Sequence, residues 1–294
     1  MKLFSGCVLV HMEIKDLENI ELEKLVSVIN LSFSDYIVPL QMTLELLKSK
    51  IVAEDIQLKL STGVFDGDKI VGCMLHGLRD SDQGRVVYNA ATGVIPDYRG
   101  RGLVREMYSY LLPELKKLQV KKMMLEVITG NHAAIKAYEK MGYKVARKLD
   151  CFTGKLDIKK NTSISALKEI DSFNWAAFLS FRDIIPSWQN AVQSLENSKK
   201  HCRTIGAFSD ELLVGYAIFN PASGKINQFA VAGAYRRKGI GSQLFSYINE
   251  FVKQQDVYVY NVDHTAVAAI GFLKSLGLRE KITQFEMSRL VEDK

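Results

Sequence analysis

Apolar and polar positions run through this chain in two successive rounds of the same order. In the first round, residues 8–14 read as a strand, and Asp16 can cap a helical pattern over 17–32, where Leu22, Leu25, Val26 and Ile29 recur at helical spacing. Thr43 can cap a second helix over about 44–53. Strands at 63–65 and 69–78 flank Asp66-Gly67-Asp68, a strong hairpin signal. A strand follows over 85–95, interrupted by Gly93, where a bulge or a close backbone approach is expected. A helix over 102–118, a strand over 122–128, a helix over about 133–141 capped by Asn131 and ended by Gly142, and a strand over 143–149 complete the round. Residues 151–162 either close this sheet or link the halves. The second round predicts helices at 172–183 and 187–198 and strands near 203–208, 212–219 and 226–232. It closes with a helix at 240–254, a strand at 257–262, a helix at 266–276 and a last strand near 284–290.

The repetition reaches individual residues. Tyr98-Arg99-Gly100-Arg101-Gly102-Leu103-Val104 is echoed 137 residues later by Tyr235-Arg236-Arg237-Lys238-Gly239-Ile240-Gly241. Gly63-Val64-Phe65-Asp66-Gly67 and Val71-Gly72 are echoed by Gly206-Ala207-Phe208-Ser209-Asp210 and Val214-Gly215. One fold therefore occurs twice, and two copies are too few for a solenoid. Each copy places a basic, glycine-containing turn between a strand and a helix, an arrangement that presents backbone N–H groups to an anion.

The 294-residue length suits two domains of roughly 130–160 residues, with the boundary expected at 157/158. Hydrophobic content of 47% and charged content of 24% are those of an ordinary globular protein. The net charge of +6 is spread over short pairs such as Lys116-Lys117 and Lys159-Lys160, so no nucleic-acid footprint is expected. Cys7, Cys73, Cys151 and Cys202 lack metal-ligand spacing, which argues for thiols in a reducing compartment and against a metal site. Phe4-Ser5-Gly6-Cys7 is like a lipoprotein cleavage site but is preceded by too few residues for a signal peptide. No stretch reaches the ~18 apolar residues of a membrane span. The expected location is the cytoplasm, without a membrane partner.

The loop Arg-x-x-Gly-x-Gly/Ala, followed by helix, strand and Asn131-His132-Ala133-Ala134-Ile135-Lys136-Ala137-Tyr138-Glu139-Lys140-Met141-Gly142-Tyr143, resembles the GNAT superfamily of acetyl-CoA-dependent N-acetyltransferases. The two-copy layout resembles its tandem members. The resemblance implies an α/β (α+β) fold of two tandem GNAT-like domains, each a mixed, mostly antiparallel sheet flanked by helices. It implies acetyl-CoA as cosubstrate and no metal. Its pyrophosphate would lie over Arg99, Gly100, Arg101, Gly102, Leu103 and Val104, where Gly100 and Gly102 let the backbone come close. Asn131 would cap its helix and contact the cofactor, and a strand N–H near Val94 would polarise the thioester carbonyl. Glu126 stands in the Leu-Glu-Val setting where ribosomal-protein alanine N-acetyltransferases carry their general base. The competing reading is a carboxylate paired to a neighbouring strand. Tyr138 matches the family's acid, which protonates the departing thiolate, the alternative being a core aromatic.

Each half departs from the family differently. The first carries Val104 where the loop ends in Gly or Ala. The second keeps Arg236, Gly239 and Gly241 but has Leu273 in the place of Tyr138, leaving Tyr258 or Tyr260 as substitutes only with different geometry. Chemistry is therefore expected in the first half, with catalysis in the second half and a non-catalytic acyl-CoA-binding protein as alternatives. A dinucleotide-binding fold is disfavoured, because neither G-x-G-x-x-G nor a P-loop is present. The acceptor, a peptide amine or a small-molecule amine, would be chosen by the segment 33–40. There Asp35 and Tyr36 either hold an ammonium or plug the loop. Monomer and homodimer both remain open.

Overall fold

The computed structural model describes residues 12–38, 40–82, 84–158, 166–253 and 255–291. The Phe4–Cys7 stretch, residues 8–11 of the expected first strand and the Lys159-Lys160 pair lie outside them. The elements run β1 (Met12–Asp16), α1 (Leu22–Ser32), α2 (Leu44–Ala53), β2 (Thr62–Asp66), β3 (Lys69–Arg79), β4 (Arg85–Val94), α3 (Leu103–Lys117), β5 (Val120–Ile128), α4 (His132–Lys140) and β6 (Lys144–Gly154). The second round runs β7 (Ala166–Glu169), α5 (Trp175–Phe181), α6 (Val192–Asn197), β8 (Arg203–Ser209), β9 (Leu212–Asn220), β10 (Lys225–Val231), α7 (Ile240–Val252), β11 (Val257–Asp263), α8 (Val267–Ser275) and β12 (Arg279–Leu290). The expected mixed α/β architecture is what forms.

Local chemistry accounts for most boundaries. Thr43 Oγ1 accepts the Leu46 N–H at 3.2 Å and opens α2, and Asn131 Oδ1 accepts the Ala134 N–H at 3.1 Å and opens α4. Gly142 ends α4 with φ +85°, a conformation costly for a side chain. Asp16 does not cap α1 as expected. It ends β1 and accepts the Glu18 N–H at 3.0 Å, and the helix starts only at Leu22. Strand β7 escaped the sequence reading because Ala166-Leu167-Lys168-Glu169 has no sustained alternation. Its order comes from antiparallel pairing with β8.

The chain forms two compact units that do not follow chain order. One comprises Met1–Leu125, Ala137–Lys144 and Ser288–Lys294; the other comprises Glu126–Lys136 and Val145–Met287. In the first, β1-β2-β3-β4-β5 lie side by side, antiparallel except for β4 and β5. The end of the chain returns to this unit, where Val291 N–H donates to Lys121 O at 2.9 Å. In the second, the order is β6-β11-β10-β9-β8-β7, and β6 pairs antiparallel with β11 from Val257–Gly154 to Asp263–Leu149. Each unit thus includes a closing segment from the other repeat. The second unit's core is built on Ile205, Phe219, Leu244, Phe245, Ile248 and Leu273.

Candidate active site

The two loops are built alike. Gly100 and Gly102 have φ of +76° and +79°, and a Cβ on either would meet nothing within 4 Å. In the second loop Arg237 and Gly239 take the left-handed conformation, at φ +61° and +84°. Helix α3 makes its first internal bond from Glu106 N–H to Gly102 O, and α7 from Gln243 N–H to Gly239 O. The N–H groups of Leu103 and Val104, and of Ile240 and Gly241, therefore have no intrahelical acceptor. Open space over glycines beside such N–H groups suits a pyrophosphate. Arg101 lies along the loop, donating to Asp97 O at 2.8 Å and covering the Tyr98 ring.

The Arg99 side chain is engaged within the protein. Its guanidinium donates to Val94 O at 3.0 Å, to Ser32 O at 2.9 Å and to both Asp35 oxygens at 2.7 Å, while its N–H donates to Pro96 O. Arg236 repeats the arrangement with Val231 O, Phe181 O and Asp183. Each arginine fastens the end of a strand to the loop after the unit's first helix. A sequence signal for this was present: Leu31-Ser32-Phe33-Ser34-Asp35 is echoed by Leu179-Ser180-Phe181-Arg182-Asp183.

Val94 is placed by the register. Ile95 N–H donates to Val71 O, so at Val94, paired with Gly72, the N–H and C=O turn away from β3. Gly93 is a site of close approach, as expected, for a Cβ there would stand 2.6 Å from Ser32 Cβ.

Tyr138, 8% exposed, ends a chain of polar side chains inside the first unit. Its hydroxyl bonds to Thr92; Thr92 Oγ1 donates to Asn89 Oδ1 at 3.0 Å; Asn89 Nδ2 donates to Tyr108 Oη at 2.8 Å; and Tyr143 donates to Tyr108 at 3.0 Å. Burial pushes the Tyr138 phenol well above its ordinary range, so it stays protonated at neutral pH. Thr92, Asn89 and Tyr108 were not singled out by sequence, because their roles depend on partners many residues away.

The second unit holds a cavity of about 770 Å3, lined by Arg236, Gly239, Gly241, Phe229, Tyr260 and Phe272, among others. It opens because β10 and β11 register only at Lys225–Tyr258 and then part. Phe229, Phe245 and Phe272 pack ring to ring at 5.1–5.9 Å. A Cβ on Gly241 would come within 2.9 Å of the Phe272 ring, so a side chain there would require that ring to shift. Tyr260 brings a phenol to this cavity, pushed up to about 12 mainly by burial.

Glu126 and Asn131 belong to the second unit, whereas Val94, the first loop and Tyr138 belong to the first. Glu126 points away from the buried Leu125 and Val127, and its Oε2 accepts from Asn261 Nδ2 at 2.9 Å. Asn261 also contacts Ser187 and Gln284. Counting back from Gly142 and Gly277, Asn261 is the second repeat's counterpart of Glu126. Among the described residues no cluster suited to a metal occurs, and no helix is long and apolar enough to cross a membrane.

A strand, a turn through left-handed glycine and a helix thus occur once in each repeat. The chain matches the Acetyltransferase (GNAT) family over residues 25–143 and again over 167–278, and it belongs to that family. Across 66 residues it is 41% identical to the [Ribosomal protein bS18]-alanine N-acetyltransferase of Escherichia coli K12; that stretch is 21% of this chain and 45% of the relative, under half its length. Its fold is similar to a tandem GNAT protein from the clavulanic acid biosynthesis pathway, with TM-score 0.72, 14% identity and coverage of 97% and 100% of the two chains. A GCN5-related N-acetyltransferase from Sphaerobacter thermophilus is alike at TM-score 0.72 and 12% identity, covering 96% of each chain.

Proposed function

We propose that this protein moves an acetyl group from acetyl-CoA to a primary amine, with the chemistry in the first repeat. The observation that carries the reading is the polar chain ending at Tyr138, which the second repeat lacks. The amine nitrogen attacks the thioester carbon directly, and the carbon–sulfur bond breaks. Tyr138 gives its proton to the departing thiolate, and the proton lost by the amine passes to water. Burial keeps the phenol protonated until it is used. The Val94 N–H polarises the carbonyl, and the N–H groups of Gly100 to Val104 hold the pyrophosphate. Arg101 adds positive charge there, while Arg99 holds the loop in place.

The repeats divide at 157/158, and the second retains a cradle at Gly239 and Gly241. Leu273 in the place of Tyr138 favours acyl-CoA binding without transfer in that unit. The Escherichia coli relative, by its name an alanine N-acetyltransferase of a ribosomal protein, directs the choice of acceptor toward a peptide amine. Free thiols at Cys73, Cys151 and Cys202 suit the reducing cytoplasm.

Calorimetric titration with acetyl-CoA tests the assignment, using Gly102→Glu and Gly239→Glu. Each substitution puts a carboxylate where pyrophosphate would lie. Loss of binding with Gly102→Glu, accompanied by loss of thiol release, is expected. Turnover that survives Gly102→Glu and disappears with Gly239→Glu would move the chemistry to the second repeat.

A further inference from the structure

We propose that the second unit's cavity takes an acyl group whose far end carries a neutral hydrogen-bond donor, and that Asn190 reads that donor. The inference rests on the reading above, that an acyl thioester lies over the second cradle.

Strands β10 and β11 meet at Lys225–Tyr258 and part from there toward the cradle at Gly239 and Gly241. A thioester arm held by its pyrophosphate at the cradle therefore points its acyl end toward the place where the strands meet. Asn190 is fastened to both strands there. Tyr258 N–H donates to Gly224 O at 3.0 Å, so Tyr260, two residues on, also turns its backbone toward β10. With β10 parted from it, Tyr260 O accepts from Asn190 Nδ2 at 2.9 Å. From β10, Gln228 Nε2 donates to Asn190 O at 2.5 Å, and Gln228 Oε1 accepts from Tyr216 Oη at 2.9 Å. Tyr216 is itself stacked on Phe178 with centroids 3.9 Å apart.

Asn190 lines the cavity and is 5% exposed. Its N–H donates to Ser187 O at 3.0 Å, so only Oδ1 is left over, and that oxygen has no donor among the described residues. Asn227, at the bulge of β10, lines the same cavity, and its Oδ1 has no donor there either. A hydrocarbon chain end packed against these oxygens leaves them unsatisfied, and a carbonyl offers them nothing, whereas an O–H or N–H completes them. Arg182 and Arg237 line the cavity as well and disfavour a cationic end, so the donor is a neutral one such as a hydroxyl. Counted from Arg99/Arg236 and Gly72/Gly215, Asn227, Gln228 and Tyr216 stand where the first repeat has Ala90, Ala91 and Cys73. The polar end belongs to the second repeat.

The test is calorimetric titration of Gly102→Glu, in which only the second cradle remains, with four thioesters. These are butyryl-CoA, 3-hydroxybutyryl-CoA, 4-hydroxybutyryl-CoA and acetoacetyl-CoA. At least one hydroxyacyl thioester is expected to bind about tenfold more tightly than butyryl-CoA. Acetoacetyl-CoA, which brings an acceptor in place of the donor, should bind no more tightly than butyryl-CoA. Asn190→Leu should bring the hydroxyacyl and butyryl thioesters within about twofold of each other. The proposal is overturned if neither hydroxyacyl thioester is preferred, if acetoacetyl-CoA is preferred as strongly, or if the preference survives Asn190→Leu. Asn190→Leu gives up the bond to Tyr260 O, so the comparison among the four thioesters decides the matter even where that variant does not fold. Binding without preference would refute the role of Asn190 alone, whereas a Gly102→Glu protein that binds none of the four would refute the reading of the second cradle along with it.

Discussion

In the first repeat Asn89, Thr92, Tyr108, Tyr138 and Tyr143 form one polar chain, with the buried His76 ring edge-on to Tyr108. In the second, counted from the shared landmarks Gly72/Gly215, Arg99/Arg236 and Gly142/Gly277, the same places hold Ile226, Phe229, Phe245, Leu273, Leu278 and Phe219. Around these positions the backbones agree. Both loops turn through left-handed residues, both arginines grip the end of a strand, and both strands bulge at matching positions, Ala90 and Asn227. The comparison separates two requirements. Presenting N–H groups to an anion depends on backbone conformation, and both repeats keep it. Supplying a proton from the place of Tyr138 depends on a hydroxyl there, and at that place the second repeat has Leu273. Replacing a whole network by hydrocarbon is physically coherent, because a half-satisfied buried network is worse than an apolar core.

Removing the one hydroxyl that the comparison makes decisive should have the largest effect. Tyr138→Phe is expected to lower the rate of thiol release about a hundredfold while acetyl-CoA binding changes little. Parallel rate and titration measurements check this, and an unaffected rate would remove Tyr138 from the chemistry. The next test concerns His76, buried with Nδ1 at 3.0 Å from Leu60 O. Burial lowers its pKa from 6.5 to about 4. The unfolded chain therefore takes up a proton first as pH falls. The stabilisation is complete above pH 6.5 and is lost progressively toward pH 4, by about 3 kcal/mol. Urea unfolding across that range should show the loss, and His76→Phe, which copies the second repeat, should flatten that part of the slope. The smallest effect is expected from the converse graft. Leu273→Tyr adds a hydroxyl among Phe229 and Phe245, where nothing corresponds to Thr92, and should cost about 2 kcal/mol by the same unfolding measurement. Adding Phe229→Thr to it should recover part of that loss if the network logic is right.

Much of this was written in short stretches of sequence. The doubled loop, the Asn131–Tyr143 helix motif, the caps at Thr43 and Asn131 and the left-handed stop at Gly142 each depend on neighbours within one or two turns. Residue spacing alone therefore predicts them. The helix start at Leu22 was less legible, because Asp16 offers a cap that the chain uses for a turn instead. Strand β7 was not legible at all, since two apolar and two charged residues without alternation become a strand only when β8 supplies partners.

The sequence by itself determined that the fold occurs twice, where the glycine turns lie, and that Tyr138 has no tyrosine counterpart at Leu273. The tertiary structure decided three other matters: that β6 pairs with β11, that Arg99 and Arg236 are fasteners, and that Tyr138 reaches solvent-shielded polarity through Thr92 and Asn89. Turns, caps and helical spacing are settled by local sterics and by bonds between residues close in the chain. Strand partners and side-chain acceptors are chosen among groups many residues apart. That choice follows from which buried polar groups must be satisfied once the backbone has closed, and spacing along the chain carries no record of it.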